Sequence, residues 1–378
     1  MTIIVELAIV LSIIYTAGVL VLYKGLKRAV NSTLSDTMAD EKLPPITIIV
    51  PTRNEIGNID NIISDLKKQN YPEDKIEILI IDDFSTDGTA ERALELVGDD
   101  TRFNILRLSQ QSDFLEKSKL TAKKRVVDFG VRTSSSEIVL FTDADCRLKP
   151  NWARSMASQF SGGYSVVAGF VGFHIDSTLQ GILALESLAT RIIGAGMIGM
   201  GNAITCPGGN LAYKKDIYFN IGGLDNFNKT FSGDDTLFIQ TAVSKGARAM
   251  FNFNEDSFVY TVERGGIRDV VIRRIRRLGI TPQFKLDMLL SSGLLFLYCF
   301  LLALTPFILF IKASMGLVMI ILWILKYAVD FWILRKGAGL FNESRLLKYL
   351  PPTGFLYPYY ITVVGALSLF IKGGWKGR

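Results

Sequence analysis

A chain of 378 residues that is 49% hydrophobic and 21% charged is too apolar for a disordered segment, and long enough for two or three domain-sized units. Its net charge is +6, but the basic residues cluster beside the apolar runs, which points to lipid head groups and away from nucleic acid. Three dispersed cysteines (Cys146, Cys206, Cys299) make neither a disulfide framework nor a zinc site, and a single histidine, His174, gives a Ser-His-Asp triad little support.

Residues 3–23 are almost uncharged, with only Glu6, and long enough to cross roughly 30 Å of hydrocarbon as a helix. Lys24, Lys27 and Arg28 follow this run and no cleavage site is clear. Residues 1–28 therefore read as an anchor whose following segment lies in the cytoplasm. Residues 29–43 are polar and read as a linker.

From residue 44 to residue 265 strands alternate with helices. Strands are expected at 46–50, 76–81, 104–108 and 137–142, and helices at 58–69, 90–97 and 117–130. That alternation predicts an α/β domain with a doubly wound, mostly parallel sheet, in which ligands bind beyond the carboxyl ends of the strands. Three polar clusters fall at such ends: Thr52 to Glu55, Asp82-Asp83, and Asp143-Ala144-Asp145. Further on, 164–173 and 252–261 read as strands, 206–210 as a turn that lets backbone approach a ligand, and 234–245 as a helix led by Asp234 and Asp235. Residues 179–200 are apolar with Glu186 and Arg191 inside, and read as a helix on the membrane surface or under an acceptor.

Residues 266–288 hold a strongly basic interfacial helix. Residues 289–378 form a membrane region with apolar stretches at 289–311, 315–334 and 353–371. The link after the second carries Arg335, Lys336, Arg345 and Lys348, so it too is expected in the cytoplasm. The third, with Pro351, Pro352 and Pro358, either spans or re-enters. Lys326 and Asp330 lie four apart in the second and read as a neutralised helix pair. Asn31, Asn228 and Asn342 begin glycosylation triplets that a cytoplasmic location leaves unused.

In an extended segment residues i and i+2 share a face, so Asp143 and Asp145 aim into one pocket. Two like charges that close call for a proton or a hard cation such as Mg2+ or Mn2+. Two strings mislead. Asp83 to Gly88 opens like a calcium loop but has Leu94 where a bidentate Glu is needed, and Gly194 to Gly199 fits a dinucleotide fingerprint but follows a helix.

Six stretches in order resemble the membrane-bound family 2 glycosyltransferases, which have a GT-A nucleotide-sugar-binding fold. They are Pro51 to Glu55, Ile81 to Asp87, Thr142 to Cys146, Pro207 to Asn210, Ser232 to Asp235, and the arginine-rich helix at Arg273. The resemblance implies that Thr52, Glu55 and Asp83 line the base pocket, with Asp83 accepting from the base edge. It places Asp143 by the ribose and diphosphate, Asp145 on the divalent ion with Asp143 beside it, and Lys123, Asn210, Arg273 and Arg276 around the nucleotide sugar. Asp235 becomes the catalytic base, supported by Asp234. Processive members carry Gln-x-x-Arg-Trp where this chain has Arg273 to Arg277, and an arginine lacks the apolar platform that the tryptophan gives a growing polymer. The expectation is an inverting enzyme that moves one sugar from a UDP-sugar to a membrane lipid on the cytoplasmic face of the inner membrane. A polysaccharide synthase and an inactive nucleotide-sugar-binding subunit are the competing readings.

Overall fold

The computed structural model describes residues 1–34, 38–120, 123–227, 233–262 and 286–368. The basic segment with Arg273 and Arg276 lies outside the described residues.

Four strands with almost no exposed side chain, β1 (Ile46–Thr52), β2 (Ile76–Asp82), β3 (Phe103–Arg107) and β4 (Ile138–Thr142), pair in parallel in the order β3-β2-β1-β4. Their connections are α2 (Ile59–Lys67), α3 (Thr89–Val97), α4 (Ser112–Lys117) and α5 (Lys123–Thr133), as the alternation predicts. Alternate residues of β1 face opposite layers. Ile46, Ile48 and Val50 pack with α2, while Ile49 packs toward α5. Gly130 lets α5 lie almost on the sheet, because a Cβ there would meet Ile49 and Ile81 at 2.8 Å. That close approach brings Lys123, on the same helix, to the end of β4.

Beyond β4 the chain adds a short β5 (Cys146–Arg147), α6 (Trp152–Ser158), β6 (Val166–Ala168), β7 (Val171–His174), α7 (Thr178–Gly199), β8 (Asn210–Lys214), α8 (Lys215–Asn220), α9 (Asp234–Ser244), β9 (Ala249–Phe251) and β10 (Val259–Val262). β8 enters antiparallel between β4 and β6, giving the seven-stranded order β3-β2-β1-β4-β8-β6-β9. β5, β10 and β7 form a second, three-stranded sheet. The strand expected at 164–173 is in fact two pieces, β6 and β7, divided between the sheets, and of 252–261 only the start of β10 is strand. Gly169 marks the break, where a Cβ would strike the Asn210 side chain at 2.3 Å. β8 itself went unforeseen, since five residues after a glycine turn give no lasting period.

The remaining helices are α10 (Leu286–Ala303), α11 (Thr305–Ile311), α12 (Ala313–Leu340) and α13 (Leu350–Ser368). Among the described residues three helices, α1 (Thr2–Ser32), α7 and α12, are long and apolar enough to cross a membrane, and the pair α10–α11, bent by 43°, adds a fourth if counted as one span. α7 does not stand apart as a surface helix. It lies along α1 through glycine contacts so close that a Cβ on Gly25 would fall 2.1 Å from the Gly196 carbonyl. α12 reaches the same body, with Phe341 stacked on Phe170 and Phe253 at 4.5 and 5.1 Å. The supposed linker is tied down as well: Gln159 accepts from Leu34 N–H at 2.8 Å, and Lys75 caps the carbonyls of Asp40, Glu41 and Leu43.

Candidate active site

The ends of β1, β2 and β4, the turn before β8 and the start of α9 meet in one cleft. Lys123 is its centre. Its ammonium is bonded to Asp143, and the charges of Asp234 and Asp235 also bear on it. Loss of water works against that cation, but Asp143, Asp234 and Asp235 outweigh the loss and hold its pKa above the usual lysine value.

Two glycines let the carboxylates come together. A Cβ on Gly208 would lie 2.7 Å from Asp235 Oδ2, and one on Gly209 would lie 2.9 Å from Asp143 Oδ2. The turn thus runs between the two acids with no side chain of its own. Gly208→Ala is expected to displace Asp235 and lower turnover at least about ten-fold, while nucleotide affinity, measured by calorimetry, stays within about three-fold.

Asp235 accepts from Thr236 N–H at 2.7 Å through Oδ1. The start of α9 is fastened to the segment before the turn by Gln240 donating to the Ile204 carbonyl at 2.7 Å and by the Thr205 and Thr236 hydroxyls at 3.2 Å. Burial and the Asp234 charge raise the Asp235 pKa to about 6, against the pull of Lys123, the Thr236 N–H and Arg191. A carboxylate so poised takes a proton readily near neutrality and is still ionised there.

Asp145 is raised by burial, then by Asp143 and Glu55, with Lys123 opposing. Lys123 bonds Asp143, leaving Asp145 in a crowd of like charge. Among the described residues no group of three or more metal-ligating side chains forms. Two carboxylates at the end of one strand nevertheless suit Mg2+ or Mn2+, which keep few protein ligands and take other oxygens, such as water, for the rest. The residues fit such an ion. The nearby thiols are no rivals as nucleophiles: burial, then Asp235 for Cys206 and Asp143 for Cys146, pushes both well up into the protonated form.

The other expected residues divide. Glu55 is half-buried at the rim and accepts from Asn58 Nδ2 at 2.5 Å. Thr52 is buried, its hydroxyl donating to the Ile81 carbonyl at 3.2 Å. Asp83 lies at the end of β2 between two arginines, Arg53 at 3.0 Å and Arg125 at 2.9 Å.

Asn210 is a correction. It is fully buried, with Nδ2 donating to the carbonyls of Phe170 and Ser257 at 2.8 and 2.7 Å and Oδ1 accepting from Trp152 Nε1 at 3.0 Å. Its hydrogen bonds tie the start of β8 to α6 and to the segments just before β7 and β10, so its side chain is taken up by the fold. Asn210→Ala should strand the Ser257 carbonyl and the Trp152 Nε1–H, cost about 2–4 kcal/mol and appear as a lowered Tm. His174 is exposed at the end of β7, 5.7 Å from the Tyr260 ring, with no part in the cleft. Sequence reasoning missed Arg53, Arg125 and the reach of Arg191 to Asp235. A charge inside an apolar helix was the signal for Arg191. Arg53 stood inside the polar cluster Thr52 to Glu55, and Arg125 gave no signal.

The strand order and the cleft at the strand ends define a GT-A fold. A solved structure with the same fold is the mannosyltransferase PcManGT from Pyrobaculum calidifontis in complex with GDP-Man and Mn2+, with a TM-score of 0.56 at 18% identity over 97% of this chain and 99% of that one. Residues 47–222 match the family model described as Glycosyl transferase family 2. Glycosyltransferase AglE of Haloferax volcanii is 26% identical over 210 residues, which is 55% of this chain and 64% of AglE. The probable glycosyltransferase YdaM of Bacillus subtilis is 24% identical over 222 residues, 53% of this chain and 47% of YdaM. The matches therefore span less than two thirds of either relative.

Proposed function

We propose that this chain transfers a single sugar, with inversion, from a UDP-sugar to a membrane lipid at the cytoplasmic face of the inner membrane. The observation that carries the reading is the shared cation: Lys123 joins the donor-side Asp143 to the acceptor-side Asp234 and Asp235 across a side-chain-free glycine turn.

Displacing a nucleoside diphosphate from an anomeric carbon leaves negative charge on phosphate and needs an alcohol stripped of its proton. Asp235, anchored through Oδ1, has Oδ2 toward the Gly208 turn to accept the acceptor's hydroxyl proton. Lys123 steadies Asp143 and supplies a positive charge to the departing diphosphate. A divalent ion held by Asp145 and Asp143 would add Lewis-acid stabilisation of that leaving group. In-line attack from the far face of the sugar inverts its configuration.

The lipid acceptor and the orientation rest on the helices. α1 carries Lys24, Lys27 and Arg28, and α12 carries Arg335 and Lys336, in the stretch before the end that joins the domain, through Thr33 to the Phe251 carbonyl and through Phe341. By the positive-inside rule that side is cytoplasmic. The single addition rests on the arginines at Arg273 and Arg277. A screen of UDP-sugars against total membrane lipid, with mass analysis of products, tests the reading. One new glycolipid is expected, a ladder would show a polymerase, and no product with any donor would end the proposal.

A further inference from the structure

A second recess, sharing no residue with the cleft, lies where the turn Ser344–Tyr349 between α12 and α13 meets the start of α7. Its volume is about 370 Å³, and Asp176, Ser177, Arg345, Lys348 and Tyr349 are among the residues that line it. Tyr349 fastens the two sides together, since a Cβ on Gly181 of α7 would fall 2.1 Å from its ring. Glu343, 2% exposed, accepts from Arg345 Nε at 3.0 Å, and Arg345 Nη2 donates to the Phe173 carbonyl at 3.3 Å. These bonds fix the guanidinium and cancel its charge. Its Nη1 makes no hydrogen bond among the described residues and keeps two hydrogens to donate.

Lys348 and Asp176 differ from that pair. Both are exposed, and among the described residues neither forms an ion pair with the other or with a third group. One ammonium and one carboxylate thus line the same space without meeting. The recess is neutral overall, so it favours neither a simple anion nor a simple cation, and it complements a ligand that carries both charges. Its place narrows the choice. α12 is long and apolar enough to cross a membrane, and Arg335 and Lys336 stand just before its end. Tyrosine and lysine at the end of such a segment sit at head-group level.

We infer that this recess holds the head group of a zwitterionic phospholipid, one whose phosphodiester adjoins a primary ammonium. The phosphate meets Lys348 and the Nη1 edge of Arg345, with the Ser177 hydroxyl as a further donor, and the ammonium meets Asp176. A head group with only negative charge sets like charge against Asp176, and a trimethylated ammonium brings it no N–H. The inference rests on α12 lying in a membrane and is independent of the sugar chemistry of the cleft.

Native mass spectrometry tests this on the full chain, delipidated in detergent and given equal amounts of chain-matched phosphatidylethanolamine, phosphatidylcholine and phosphatidylglycerol. Phosphatidylethanolamine is expected to bind at least about ten-fold tighter than phosphatidylglycerol and about three-fold tighter than phosphatidylcholine. Asp176→Asn leaves the recess positive and should turn the first preference toward phosphatidylglycerol, while Lys348→Gln should weaken phosphatidylethanolamine at least about five-fold. Both side chains are exposed, so both variants should fold. Soluble phosphoethanolamine in about hundred-fold excess should leave the lipid in place, because it has no acyl chains. Displacement by it would make the ligand a soluble phosphate ester and overturn the lipid assignment. Equal binding of the three lipids, phosphatidylglycerol bound first by the wild type, or preferences unchanged in both variants would overturn the site itself.

Discussion

Asp235→Asn is expected to lower turnover by about 10²–10⁴-fold while leaving donor affinity within a few-fold. The amide is close in size, keeps an oxygen for the Thr236 N–H, and cannot take the acceptor's proton. The wild-type pH profile should carry the same signature. Only the ionised carboxylate is a base, and burial with Asp234 sets its pKa at about 6. Turnover should therefore be flat above about pH 7 and fall about ten-fold per unit below the pKa. Removing Asp234's charge by Asp234→Asn should move that limb to lower pH, since the repulsion that resists ionisation is gone. Equal rates for wild type and Asp235→Asn across the range would remove the proposed base.

The second large effect concerns Asp145. Chelation of divalent ions should abolish transfer, and Mg2+ or Mn2+ should restore it. Asp145→Asn should lower Mn2+ affinity at least about ten-fold, measured by calorimetry with UDP present. The direction follows from the crowd around this acid. Burial, Asp143 and Glu55 all resist its charge, and a cation relieves that resistance in the wild type but finds one ligand fewer in the variant. Full activity in chelator would contradict the assignment of Asp143 and Asp145 as ion ligands.

These experiments separate what is shared by many GT-A domains from what this chain adds. The donor side rests on strand ends that any parallel sheet supplies. The proposed acceptor side depends on α9 being pinned to the segment at 204–206, and on α7, whose Arg191 bears on Asp235 and whose glycines lie against α1. Tight glycine contacts between α1 and α7 mean that the N-terminal helix is packed into the same body, and is not a tether alone.

The sequence by itself determined the parallel half of the sheet and the carboxylates at its strand ends. Both are local: buried runs such as Ile76 to Ile81 declare a strand from six residues, and Asp143 and Asp145 share a face because the side-chain period is two. It also marked the apolar helices, whose length and composition are the signal. Only the tertiary structure decided that Asn210 serves the fold, that two arginines flank Asp83, that β8 divides the sheet, and that α7 packs on α1. Each of these depends on which distant segments meet, and neither a short period nor a motif records the partner a side chain will find once the backbone has closed around it.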